Sequence, residues 1–251
     1  MSLMKKLRVA TLNLLFDDWQ RWPRLDLVIA QTKKLNPDVL MLQEVTLDAG
    51  VAEKLTKALP GYHLSICPRT GKNSNLAQAI FTRAKPLSYQ KLEIGQNRIA
   101  QKVVIRVGAQ KLQLINIHAY FSPFRDGPRQ KQMRRILEFA NSPSILAGDF
   151  NALPAAKSLR LLRSRYESAY QSVHRHEPPN TSPSPLWRGP GARNSLRRAA
   201  LWTHGGGAID YIFVEKGLKV AKCQLAYNQP SSANSLLYPS DHFGLVADIL
   251  I

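Results

Sequence analysis

Cysteine is nearly missing from this chain. Only Cys67, beside Pro68, and Cys223, inside the strand-like KVAKCQLAY, occur. Two thiols so placed exclude a disulfide framework and a thiolate metal cluster, and each is expected to be a buried, inert side chain. Long apolar runs are missing too. No stretch approaches the eighteen or more residues of a membrane span, so stable membrane insertion is not expected. The opening MSLMKKLRVATLNLL holds basic residues but no small-residue cleavage site, and the expected location is the cytoplasm.

Acidic residues are scarce as well: 17 Asp and Glu stand against 35 Lys and Arg, a formal net charge of +18. That balance suits polyanions, because a nucleic-acid backbone meeting a cationic surface releases its counterions. Anionic lipid headgroups answer to the same charge. A basic surface that serves only solubility is the plainer alternative. Nucleic acid, held by its phosphate backbone, is the partner expected. Enough remains for a core: 251 residues at 44% hydrophobic and 8% aromatic suit one large α/β domain, expected to be a monomer.

RVATLNLL (8–15) and DVLMLQEV (38–45) read as buried strands. Between them, Pro23 suits a first helical turn, and Leu25, Val28, Ile29, Thr32 and Leu35 repeat at helical spacing until Asn36-Pro37. Val51, Leu55 and Leu59 mark a second helix closed by Pro60-Gly61. YHLSI with LAQAIFT, and KVVIRV with LQLINI around Gly108, read as antiparallel hairpins. Pro128 opens another helix with Met133, Ile136, Leu137 and Ala140 on one face. SILAG is a strand, 155–163 a helix with Leu159 and Leu162 inward, and AIDYIFV, LKVAKCQLAY and GLVADILI are late strands. Strands and helices interleave without a repeat, which predicts mixed α/β layers. Residues 172–202, dense in Pro, Ser, Gly and Arg, are expected to be a disordered basic insertion with weak polyanion affinity.

Several polar residues stand where apolar runs stop. In SILAGDFNALP, Asp149 and Asn151 share one face of an extended chain while Phe150 points into the core. Burying such groups unpaired costs several kcal/mol, and the same residues also make good turns. Asn13 in TLN and Glu44 in LMLQE repeat the placement. A hard divalent cation with oxygen ligands accounts for both, and a surface carboxylate is the bland alternative for Glu44. His118 closes LINIHAY, where a lone His is most often structural. In YPSDHFGLV, Asp241 and His242 are adjacent, so Asp241 is badly placed to orient its neighbour. Asp210 of AIDYIFV is the carboxylate expected to hold His242 and fix its tautomer.

The ordered set TLN, LQE, NIH, GDFN, IDYIFV and SDH, from residue 9 to residue 247, resembles the endonuclease/exonuclease/phosphatase superfamily. That superfamily includes abasic-site endonucleases, pancreatic deoxyribonuclease, deadenylases, inositol polyphosphate 5-phosphatases and bacterial sphingomyelinases. The resemblance implies a four-layer α/β sandwich: two packed β-sheets flanked by helices, with a Mg²⁺ or Mn²⁺ site at one rim. It implies that Glu44 binds the metal, with Asn13 helping and Asp241 near it. Asp149 activates or positions the attacking water, and Asn151 holds it. His242, oriented by Asp210, and His118 stabilise the developing charge. Arg98, in GQNRIAQKVVIRV, and Asn116, in the NIH motif, are the substrate-binding candidates. Trp19 and Trp22 either stack on bases or pack over the first helix. One departure is Gly205-Gly206-Gly207-Ala208, which stands where many relatives carry a basic residue; His204 either compensates or does nothing.

Phosphate esters hydrolyse so slowly that a catalyst must lower the barrier by about 15–23 kcal/mol. One proton-transfer group supplies about 10²- to 10⁴-fold and one oxyanion donor about 3–4 kcal/mol. A metal, a base and several donors are therefore needed together. The function expected is a divalent-metal-dependent phosphodiesterase, a nuclease on DNA or RNA. The alternatives are a hydrolase of a small or lipid phosphoester, and a catalytically silent basic nucleic-acid-binding module.

Overall fold

Uninterrupted apolar runs such as VLML and SILA need cover on both faces, unlike strands that alternate between core and water. The computed structural model, which describes residues 5–16, 18–71, 74–122, 125–182 and 207–251, shows how they obtain it. The chain opens with β1 (Lys6–Asn13), α1 (Arg21–Leu35), β2 (Val39–Thr46) and α2 (Val51–Ala58). β3 (His63–Pro68), β4 (Leu76–Thr82), β5 (Ser88–Gly95), β6 (Arg98–Val107) and β7 (Gln110–His118) follow. Then come α3 (Gly127–Phe139), β8 (Ser144–Asp149), α4 (Lys157–Leu162), β9 (Tyr166–Ser168) and α5 (Ala169–His174). β10 (Asp210–Glu215), β11 (Lys219–Ala226) and β12 (Gly244–Leu250) complete it.

Two six-stranded sheets result, ordered β11-β12-β1-β2-β4-β3 and β5-β6-β7-β8-β10-β9. Each has a parallel pair at its centre, β1 with β2 and β7 with β8, and α1 and α3 supply the crossovers that parallel neighbours require. Val9, Met41, Leu114, Ile145, Ala147 and Ile212 fill the space between the sheets. Leu12, Leu40 and Leu42 pack outward on Leu25 and Val28 of α1 and Leu55 of α2. Ile115, Ile117 and Leu146 pack outward on Met133 and Ile136 of α3 and Leu159 and Leu162 of α4. The expected four-layer α/β sandwich is therefore the fold, and the helices after Pro23 and Pro128 begin where expected.

Differences from the sequence reading have physical causes. β5 is mostly exposed and polar, so no apolar alternation announces it; backbone pairing with β6 makes it a strand. The expected loop at 172–202 begins later, because α5 runs to His174, its first turn capped when Ser168 Oγ accepts from Gln171 N–H. Glu177 is held by Arg163 and Ser168, and Thr181 is fully buried. Residues 183–202 of that expectation, and His204, Gly205 and Gly206, lie outside the described residues. Cys67 and Cys223 are both free and buried.

Candidate active site

Strand polarity brings the distant motifs together. Parallel strands end at the same rim, and antiparallel neighbours start there. Asn13, His118 and Asp149 are the last residues of β1, β7 and β8, while Asp210 opens β10 and His242 just precedes β12. Side chains alternate along a strand, so Asn13 follows Val9 in parity, His118 follows Leu114, Asp149 follows Ala147 and Asp210 follows Ile212. All four face the space between the sheets, at its open end. Glu44 arrives by a different route. The pairing of β2 with β4 slips between Leu42 and Val45, and Glu44 sits in this bulge with φ 58°. A bulge of this kind re-aims a side chain, and the left-handed backbone is strain held at the site.

Asp149 is the hub. Its Oδ2 accepts from Asn13 Nδ2 at 3.1 Å and Asn151 Nδ2 at 3.2 Å, and its Oδ1 accepts from Asn151 N–H at 2.8 Å. Asn151, at φ 49°, bends back onto Asp149 in a turn, so the turn reading and the site reading of GDFN describe one geometry. Phe150 is fully buried, edge-on to Tyr211 and Phe213. His118 Nε2 faces Asp149 Oδ2 at 3.4 Å and Glu44 Oε1 at 3.8 Å, and Glu44 Oε2 accepts from Phe16 N–H at 3.0 Å.

His242 Nδ1 lies 2.9 Å from Asp210 Oδ2, and its Nε2 is 4.0 Å from Asp241 Oδ2. Asp210 therefore orients the ring and Asp241 stands on its far side. Burial opposes a charge on His242, but Asp210 and Asp241 outweigh it and raise the imidazole to about 10. Asp210 is itself pushed up by burial, so the pair keeps its shared proton well above neutral pH. Burial, with Asp210 nearby, raises Asp149 to about 7. His118 is driven the other way: burial and the neighbouring Arg98, Arg69 and His242 hold it neutral. Two histidines thus sit in one cleft in opposite charge states.

Two residues of this cleft carry no sequence signal. Arg69, just after β3, directs Nη2 to His118 Nδ1. Thr181 Oγ1 accepts from the Ile209 and Asp210 N–H groups at 2.9 and 3.0 Å, and its carbonyl accepts from Phe243 N–H at 2.8 Å. It pins the starts of β10 and β12, and with them Asp210 and His242. Both lie outside apolar runs, where strand-end reasoning does not look. Arg98, the first residue of β6, flanks the same cleft, and burial lowers its guanidinium, as it does that of Arg69.

The substrate-binding candidate Asn116 is placed elsewhere. It lies one layer below the rim, fully buried, accepting from Gln43 Nε2 at 2.7 Å and donating to Leu42 O at 2.9 Å and Ala79 O at 3.1 Å. Its amide is committed to tying the two sheets together. Trp22 lies on α1, 45% exposed, with Lys54 Nζ 5.2 Å from its ring centre.

A family model described as "Endonuclease/Exonuclease/phosphatase family" matches residues 10–242. The chain belongs to this family. The solved structure of D. rerio TDP2 complexed with single strand DNA product aligns at 18% identity with TM-score 0.80, covering 98% of this chain and 99% of that one. An endonuclease/exonuclease/phosphatase from Bacteroides vulgatus aligns at 20% identity and TM-score 0.76, covering 98% of each chain. Truncated Caenorhabditis elegans TDP2 aligns at 21% identity and TM-score 0.74, again over 98% of each. Likenesses at these identities establish a shared fold. No curated protein matches the chain in sequence.

Within this endonuclease/exonuclease/phosphatase chain, the acidic cleft fits a hard cation. Glu44, Asp149, Asp210 and Asp241 converge with three of the four side chains at most 6% exposed, and Asp210 Oδ1 is buried with no hydrogen-bond partner among the described residues. Packed carboxylates repel one another unless a cation or proton intervenes. Asp149, Asp210 and His242 bring ligand-type atoms within 4.8 Å of one another. Since His242 holds its proton, that grouping suits a proton better than an ion. An oxygen-ligated ion fits better beside Glu44, Asp149 and Asn13.

Proposed function

We propose that the chain is a divalent-metal-dependent phosphodiesterase acting on nucleic acid, with Mg²⁺ or Mn²⁺ as the ion and the cytoplasm as its location. The observation that carries this reading is the convergence of Glu44, Asp149 and the Asp210–His242 pair at one rim of a molecule with net charge +18. A structural neighbour solved with single strand DNA product favours DNA. Among the described residues no helix is long and apolar enough to cross a membrane.

Glu44 would hold the ion, with Asn13 and Asp241 around it. When bound, the ion supplies charge stabilisation to the phosphoryl oxygens and lowers the pKa of bound water. Asp149, held by Asn13 and Asn151, orients the attacking water and takes its proton. His242 cannot serve as that base near neutral pH because it already carries a proton; it gives a hydrogen bond to a non-bridging phosphoryl oxygen as the water oxygen bonds to phosphorus and the leaving P–O bond breaks, the leaving oxygen taking its proton from solvent water. Asp210 keeps Nδ1 occupied so that Nε2 points at substrate. Arg98 adds a cationic donor at the rim.

A hydrolysis assay on DNA, RNA and bis-p-nitrophenyl phosphate, with and without Mg²⁺, tests the reading. Asp149→Ala and His242→Ala should each lose at least about 10²-fold in rate. Rates indifferent to chelator would end the metal reading. A salt dependence of only a few charges would move the substrate to a small or lipid phosphoester, and binding without turnover would leave a nucleic-acid-binding module.

A further inference from the structure

Arg69 follows β3, its N–H bonded to Leu76 O at 2.8 Å, and is only 5% exposed. Its guanidinium turns inward and meets the His118 ring at Nδ1. A guanidinium has five N–H donors and no acceptor. Burial and the neighbouring Arg98 lower Arg69 only to about 10, so it stays charged at neutral pH. The donor in this contact is therefore Arg69, and His118 Nδ1 offers its lone pair. A neutral imidazole that accepts at Nδ1 carries its proton on Nε2. That nitrogen faces Asp149 Oδ2 at 3.4 Å and Glu44 Oε1 at 3.8 Å, two oxygens placed to accept from it.

We propose that Arg69 is a positioning residue that fixes His118 as the tautomer protonated on Nε2, so that the ring donates toward the Asp149 and Glu44 carboxylates. Arg69 needs no contact with substrate to do this. His118 then aims the two carboxylates and takes no part in proton transfer, while His242 carries the cationic work. A ring rotated or reprotonated by loss of Arg69 would present either a lone pair or a C–H to Asp149.

The test reads the ring directly. Two-bond ¹H–¹⁵N spectra of ¹⁵N-histidine-labelled protein at neutral pH, with Mg²⁺, distinguish protonated from bare ring nitrogens, and His118→Gln assigns the signal. The wild type should show bare Nδ1 and protonated Nε2 at His118. Arg69→Met should lose that pattern, and Arg69→Lys, which keeps a cationic donor, should retain it. A proton on His118 Nδ1 in the wild type, or an unchanged pattern in folded Arg69→Met, overturns the inference. A kinetic arm rests on the proposed hydrolysis: Arg69→Met should slow turnover at least about tenfold, yet cost less than about twofold on a His118→Ala background, since residues acting through one group are non-additive. Additive losses would mean direct substrate contact and reject the positioning role. If the wild type hydrolyses no phosphodiester but keeps the His118 pattern, the proposed function fails and this inference stands.

Discussion

Asn116 and Asp149 occupy the same face of neighbouring strands, and depth alone separates their roles. Asn116 pairs with Ala147 in the β7–β8 register, two positions below the rim where His118 meets Asp149. Replacing it with Ala removes the amide that donates to the Leu42 and Ala79 carbonyls, at about 1–3 kcal/mol for each buried group left unsatisfied, while Gln43 Nε2 keeps Thr11 Oγ1 and the Met41 carbonyl. Asn116→Ala should therefore destabilise by on the order of 3 kcal/mol in a denaturant titration, while KM for a phosphodiester stays within about twofold. A large rise in KM at full stability would restore the substrate-binding role expected from the NIH motif.

Among the elements, the parallel pair β7–β8 decides whether the site assembles. Gly148 pairs with Ile117 and adopts φ 139°, and a Cβ there would stand 2.0 Å from Ile117 O. The obstacle is backbone in the centre of a sheet, so it cannot step aside. Backbone strain alone costs about 1–3 kcal/mol, and Gly148→Ala should lower Tm by on the order of 10 °C, with Asp149 displaced and hydrolysis lost. A melting curve that overlays the wild type would show that the strands separate more easily than their register implies. The other element of note is the 175–182 segment, where composition predicts looseness but Thr181 fastens β10 to β12. A single buried hydroxyl there overrides the signal of the surrounding Pro and Ser.

For the whole molecule, the cleft couples proton, cation and stability. Burial lifts Asp149 from its ordinary 3.8 to about 7, so the folded state holds this proton more tightly than the unfolded chain. The stability it contributes is complete below pH 3.8 and is lost as pH rises through about 7. His242, raised from 6.5 to about 10, contributes in the same sense: its share is complete below pH 6.5 and fades as pH passes about 10. A divalent ion held beside Glu44 and Asp149, as proposed, would replace the Asp149 proton. Mg²⁺ at about a hundred times its Kd should stabilise by ~2.7 kcal/mol, and the gain in Tm should be larger at pH 8 than at pH 5.5, about one to two units either side of the Asp149 midpoint. Thermal melts with Mg²⁺ and with chelator at both pH values check this. A gain that is equal, or greater in acid, would place the ion away from Asp149.

Mixed α/β layers and most residues of the cleft were legible in the amino-acid order; the four-layer sandwich was implied by the resemblance of the ordered motifs to the family. Apolar runs covered on both faces call for buried strands, helical spacing between them calls for crossovers, and polar residues that end such runs call for a site at the strand ends. Asn13, Glu44, His118, Asp149, Asn151, Asp210 and His242 follow from that rule, and the pairing of Asp210 with His242 follows from the adjacency of Asp241. Only the packed sheets decided the rest. Arg69 and Thr181 act from segments without periodicity, the bulge that aims Glu44 depends on the β4 register, and depth between the sheets makes Asn116 a tie. Local order sets which face a side chain takes. How far it sits from the rim, and which remote group meets it there, is set by packing between segments more than a hundred residues apart, as when Asn13 reaches Asp149 across 136 positions.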